Sequence, residues 1–371
     1  MTAHGGLPRL GLSMSVRSRR STFLPTAARL MRGLLALAMA LAISAAPASP
    51  RTDAEALLHK GDVGAAMLLL RAAAERGDAG AQALMGSLHV YGNGLPRDDA
   101  LALAWFRKAA AQGDAEGEYN LGVLLQNGRA TARDPAAAAD WYRRAAAQGH
   151  VSAAYNLGFL LLFGSGVAQD DTEALRRFRQ AAEAGHAGAM YYLGLMHAQG
   201  RGVAADAVEG FRWLLRGAEA GDVFAQTEVA QCFEQGRGTA KDDAAAVQWL
   251  TQAAHGAWPP AQRRLALRYL DGAGVEASPA QGARWMQAAA ERGDAIAQAM
   301  LGDLHDEGQG VAKDPVRAYI WWSLAARQEP KFSKLRDAGA RLLQPEEKAA
   351  ADRHVRDWQP IPALTERVGR R

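Results

Sequence analysis

An interval of 36 residues constrains this chain more than any other feature. An "LG" pair recurs at that step through Gly86, Gly122, Gly158 and Gly194, continues as Ala230 and Ala266, and returns as Gly302. The same step joins Trp105, Trp141, Trp213, Trp249, Trp285 and Trp321, with Arg177 the single exception. It also joins Ala110, Ala146, Ala182, Ala218, Ala254, Ala290 and Ala326. Self-similarity at a fixed period of about 20–50 residues marks a stacked array, in which no unit buries its apolar face alone.

Each unit reads as two helices. In the second, Ala102, Trp105, Phe106, Ala109 and Ala110 follow an i, i+3, i+4, i+7, i+8 spacing and form one apolar stripe. Asp98, Asp134, Asp170, Asp206, Asp242, Ser278 and Asp314 stand just before these helices, and Pro135, Pro279 and Pro315 follow directly. Those are N-cap and first-turn choices. The first helix ends in a glycine pair such as Gly164 and Gly166, suited to a positive-φ turn, and Ala130 departs from the pairing. The pair follows a predicted helix and lacks the Lys-Ser/Thr ending of a phosphate loop, so the turn reading holds.

The stretch "AYNLGFLLLFGSGV", Ala154 to Val167, poses a question about burial. As a helix it is apolar on every face from Phe159 to Phe163, yet a surface helix has one face to bury. Leu157, Leu160 and Leu161 supply the core-facing stripe, which leaves Phe159 and Leu162 on the other side.

The longer pattern "AYNLGFLLLFGSGVAQDDTEALRRFRQAAEAG" resembles the Sel-1-like repeat (SLR) family, a relative of the tetratricopeptide repeat. The resemblance covers Asp78 to Glu329 in seven units, with a half unit before it at Asp62 to Gly77. It implies an all-α fold: a right-handed superhelical solenoid of antiparallel helix pairs, used as a protein-interaction scaffold. The chain then divides into a leader (1–48), an N-terminal capping half repeat (52–77), seven repeats (78–329), and C-terminal capping helices with a tail (330–371). Arg177, Ala257 and Pro259–Pro260 depart from the pattern, and a local irregularity is expected at the prolines. The recurring tryptophans are expected to fill the shared core.

The overall charge is +4, which by itself would suggest a nucleic-acid partner. Six arginines and no acid lie in residues 1–48; without them 37 basic residues face 39 acidic ones, a net of −2. The main body therefore offers no phosphate-neutralising surface, and no nucleic acid is expected. Arg29 and Arg32 precede an apolar run, Leu34 to Ile43, and small residues ending "AAPAS", the three-part layout of a secretory signal peptide. Cleavage after Ala46 or Ala48 fits, and translation from Met1, Met14 or Met31 remains open. A bilayer span needs about 20 apolar residues, more than this run holds. No Cys lies near the cleavage region, so no lipid anchor is expected, and the mature product is expected in the periplasm or outside the cell.

Candidate chemistry is sparse. Cys232, the only cysteine, sits where other units mostly carry Leu or Met and reads as a buried small hydrophobe. His89, His197 and His305 share one repeat position three units apart, roughly 25–30 Å at normal helix spacing, so one ion cannot bridge them. No metal, cofactor or catalytic signature is expected. The alternative to a scaffold is a cell-envelope enzyme acting on wall glycan through Asp303, Asp306 and Glu307. By resemblance to tetratricopeptide repeats, the concave groove is lined by Tyr119 and Val123, Tyr155, Phe159 and Leu162, and Tyr191 and Leu195. Asn120 and Asn156 stand beside the tyrosines and are expected to bond a peptide backbone. In unit seven the same positions are acidic at Asp303 and Asp306, so the groove runs from aromatic to acidic. The tyrosines alone also fit ordinary packing.

Overall fold

The computed structural model describes residues 49–92 and 95–362, which form 18 α-helices and no strand. The expected leader, residues 1–48, and the end of the expected tail, residues 363–371, lie outside the described residues. Helices α1 (Pro50–His59) and α2 (Val63–Glu75) precede seven pairs. The first four pairs are α3 (Ala79–Tyr91) with α4 (Asp99–Ala111), α5 (Ala115–Asn127) with α6 (Pro135–Ala147), α7 (Val151–Phe163) with α8 (Asp171–Glu183), and α9 (Ala187–Gln199) with α10 (Ala207–Glu219). The last three are α11 (Val223–Gln235) with α12 (Asp243–His255), α13 (Pro259–Asp271) with α14 (Pro279–Glu291), and α15 (Ala295–Glu307) with α16 (Pro315–Gln328). A 3₁₀ turn, Pro330–Phe332, leads to α17 (Ser333–Ala340) and α18 (Pro345–Asp357). From α1 to α17 each helix packs on its sequence neighbours, and α18 packs back on α16, which makes the molecule a solenoid.

The expected caps form. Asp134 accepts from Ala137 N at 2.9 Å, Asp170 from Glu173 N at 2.9 Å, and Ser278 from Gln281 N at 3.4 Å. Most first helices are also capped by Asp, but α7 and α9 use histidine: Nδ1 of His150 and His186 accepts from Ala153 N and Ala189 N at 3.2 and 3.1 Å. An accepting Nδ1 carries no proton, which places the ring hydrogen on Nε2. Burial holds His186 below the ordinary imidazole range. The irregularity expected at unit six stays in the turn, where Ala257 takes φ +57°, and α13 opens without a side-chain cap yet keeps 13 residues.

The core corrects the reading of the tryptophans. The fully buried rings are those one residue later, Phe106, Tyr142 and Phe178, each with no exposure. Trp105, Trp141, Trp249, Trp285 and Trp321 are half-buried, while Trp213, at 9% exposure, joins the buried core as expected. Adjacent helical residues point about 100° apart, so only one of each pair faces the first helix. The other covers the flank, with Lys108 4.3 Å from the Trp105 ring, Arg144 4.7 Å from Trp141 and Arg216 4.2 Å from Trp213.

That geometry explains the recurring glycine. The buried side chain presses on the first helix at the "LG" position: a Cβ on Gly122 would stand 2.7 Å from Tyr142, one on Gly302 2.5 Å from Trp322, and one on Gly194 2.6 Å from Leu214. Where alanine replaces glycine, the partner is flexible and aliphatic: Ala230 shares its core cluster with Leu250, and Ala266 with Met286.

Ion pairs repeat between units. Arg201 grips Asp171 at 2.8 and 3.0 Å, and the guanidinium holds that carboxyl below its ordinary range. Arg129 makes the equivalent pair with Asp99. Consecutive first helices touch directly, as α3 with α5 and α9 with α11, while contacts between consecutive second helices are sparser.

Candidate functional site

The expected groove residues lie on the first helices of units two to four, and their partners are now visible. Tyr119 and Tyr155 are half-buried and stack on the capping histidines of the next unit, with ring centroids 4.4 Å from His150 and 4.3 Å from His186. Tyr191 meets Phe224 at 5.9 Å. Each tyrosine thus ties one first helix to the next. Burial pushes the phenols of Tyr155 and Tyr191 up to about 12.

Three expectations change. Leu162 is buried at 3% exposure rather than lining the groove. Its position points toward the second helix of its own unit, as Gln126 shows in unit two by accepting from the Tyr142 hydroxyl at 2.6 Å. Phe163 takes the open place, with 54% exposure. The Asn120 amide is spent inside α5, donating to the Glu116 carbonyl at 2.9 Å and to Glu116 Oε1 at 2.8 Å. Asn156 lies beside the phenols of Tyr119 and Tyr142, where it opposes the rise that burial imposes on them.

Residues that the sequence reading passed over complete the surface. Tyr192, at the position Asn120 and Asn156 hold elsewhere, stacks on Phe178 at 5.1 Å and joins Phe159 at 5.9 Å and Tyr191 at 5.1 Å. Phe159 reaches Phe163 at 4.6 Å, and at the other end Phe224 reaches Trp258 at 4.8 Å. The rings form one unbroken ridge across units three to six. Its accessible tips are Phe163 and Phe224, the latter 39% exposed. Beside it a cavity of about 320 Å³ opens between α9, α10 and α11, lined by Leu195, Ala198, Phe211, Gln231, Cys232 and Arg237. The signal in the sequence was periodic: an aromatic residue where sister units carry a small or polar one.

A family model described as Sel1 repeat matches residues 79–114, 115–150, 151–186, 187–222, 223–256, 259–294 and 295–330. The chain belongs to the Sel1 repeat family. Folds of this family are typical of protein–protein interaction scaffolds and are typically non-enzymatic. A Sel1 repeat protein from Oxalobacter formigenes, solved by crystallography, is 31% identical, covers 65% of this chain and 97% of its own, and superposes with a TM-score of 0.61. A protective antigen present in uropathogenic Escherichia coli strains, which displays an SLR fold, is 28% identical over 84% of this chain and 76% of its own, with a TM-score of 0.49. A comparison with curated proteins finds no match.

The remaining candidates have partners within the Sel1 repeats or lie buried in them. His89, His197 and His305 are buried, with His197 3.3 Å from Arg179 and His305 3.4 Å from the Ala312 carbonyl. No group of His, Cys, Asp or Glu fit to hold a metal ion occurs among the described residues. Cys232 is 5% exposed, and burial raises its thiol. Asp303 accepts from Trp322 Nε1 at 2.9 Å; burial, Trp322 and the nearby Glu307 and Asp306 act on it together, and its pKa is raised. No helix among the described residues is long and apolar enough to cross a membrane.

Proposed function

We infer that this chain is an exported scaffold that captures a protein or peptide on the inner face of its first helices. The observation that carries the reading is the aromatic ridge, whose tips, Phe163 and Phe224, stay open at 54% and 39% while the rings between them are packed. Desolvated aromatic anchors dominate protein interfaces, and an open apolar strip on a soluble chain marks a contact surface. Tyr155, Phe159 and Tyr191 belong to the ridge, and Tyr119, Val123 and Leu195 pack against the same buried cores.

Phe163→Asp with Phe224→Asp tests it. Both side chains are exposed but pack on neighbouring rings, so helicity should hold and stability should fall by about 0.5–1.5 kcal/mol per site, the worth of the aromatic pairs lost. Polypeptides retained by the native protein from the cell-envelope fraction should be lost by the variant. Unchanged capture would place the contact surface elsewhere, and unfolding would make the two rings part of the core.

The export half of the reading rests on the leader from Arg29 to Ser49. N-terminal sequencing of the mature protein should begin at Pro47, Ser49 or a close neighbour, and a soluble cytoplasmic chain that retains Met1 or Met31 would refute it.

A further inference from the structure

The face of the first helices changes chemistry along its length. Glu307 stands four periods beyond Phe163, the open tip of the ridge, and Asp303 four periods beyond the half-buried Phe159, so carboxylates take these places in unit seven, with the half-buried Asp306 between them. Asp271, one unit earlier, matches Glu307 in position. None of Asp271, Asp303, Asp306 and Glu307 forms an ion pair among the described residues. The stretch between the two ends is neutralised internally: Arg264 and Arg268 both close on Glu234, and Arg263 reaches Asp294 at 3.1 Å. One end therefore lacks an apolar cover and the other lacks cations.

We propose that the groove takes an extended peptide with an apolar or aromatic anchor at one end and a cluster of Lys or Arg at the other. The proposal rests on the capture reading above and adds the chemistry of the partner. Four units at about 8–10 Å per neighbouring helix separate the two ends by roughly 32–40 Å. An extended chain advances about 3.3 Å per residue, so about 10–12 residues lie between anchor and basic cluster. The packed ridge positions the anchor, and the unpaired carboxylates supply charge complementarity, which sets the register and adds a salt-dependent share of affinity.

Fluorescence anisotropy with four synthetic peptides tests it. One carries Phe-Trp and Arg-Arg-Lys separated by about eleven Gly/Ser residues, the length the spacing requires. The others replace the basic end by Glu-Glu-Glu, the aromatic end by Gly/Ser, or shorten the spacer to three residues. The first should bind most tightly and weaken with added salt. Asp306→Lys with Glu307→Lys should lower its affinity about three- to tenfold, the range two exposed ion pairs supply, and should raise that of the Glu-ended peptide. Equal binding of the Arg- and Glu-ended peptides, or indifference to D306K/E307K, overturns the proposal; if F163D/F224D still abolishes binding in that case, the capture reading stands. If no peptide binds, or binding ignores F163D/F224D, the capture reading fails as well.

Discussion

Phe178→Ala is expected to cost about 3–5 kcal/mol, because a fully buried ring is lost from a site that cannot collapse. Phe178 has no exposure and lies on the backbone of α7 at Gly158, 3.0 Å from where a Cβ would stand, so the facing helices cannot close the gap without moving. The loss should stay local. Helices α7 and α8 touch their sequence neighbours and nothing in α15 or α16, so hydrogen exchange should accelerate in units two to four and remain slow in unit seven. Uniform acceleration along the chain would count against a linear solenoid. A companion pair checks the cause. Gly158→Ala alone pushes a methyl into the ring and should cost about 1–3 kcal/mol. Gly158→Ala with Phe178→Leu recreates the Ala230 and Leu250 pairing that the chain already uses, so the double variant should cost less than the sum of the singles by at least about 0.5 kcal/mol.

The period and the caps were legible in the sequence because each is local. An Asp followed by Pro bonds or fills its own first turn, and a glycine at a helix end needs no distant partner. The role of the "LG" glycine was not legible, because it depends on a ring about 20 residues away, Tyr142 over Gly122 or Phe178 over Gly158, and that pairing exists only once two helices face each other. The tryptophans misled for the same reason. A large apolar residue at a fixed step says that the position recurs, while the roughly 100° between neighbours on a helix decides which of two adjacent rings goes inside. Leu162 was misread because spacing from the glycine does not reveal that the position turns toward its own second helix. Asn120 shows a further limit: a polar side chain beside a groove counts as free only when no partner one helical turn back claims it, and Glu116 does.

Gly274→Ala should be as damaging as the loss of a core ring, although it adds one methyl at a solvent-facing loop. Gly274 sits at φ +77°, where an L side chain is strained, and its Cβ would intrude on the carbonyl of Asp243 at the start of α12. The left-handed conformation costs about 1–2 kcal/mol for a residue with a side chain, and forcing backbone apart adds about 1–3 kcal/mol. The loop of unit six would have to lift off unit five, taking with it the Arg268 contact to Asp243 at 3.3 Å. A solenoid has no second route for that coupling. Calorimetry should therefore show the single transition broadening or splitting, with α13 to α18 melting apart from the units before them. Unit two supplies the internal contrast, since Ala130 already occupies the equivalent place at φ +55°. Ala130→Gly should relieve that strain and gain up to about 1 kcal/mol, less the extra entropy glycine brings to the unfolded chain. If Gly274→Ala melts as one sharp transition at the native temperature, the loop is not the seam between units, and the seam must be carried by the helix faces alone.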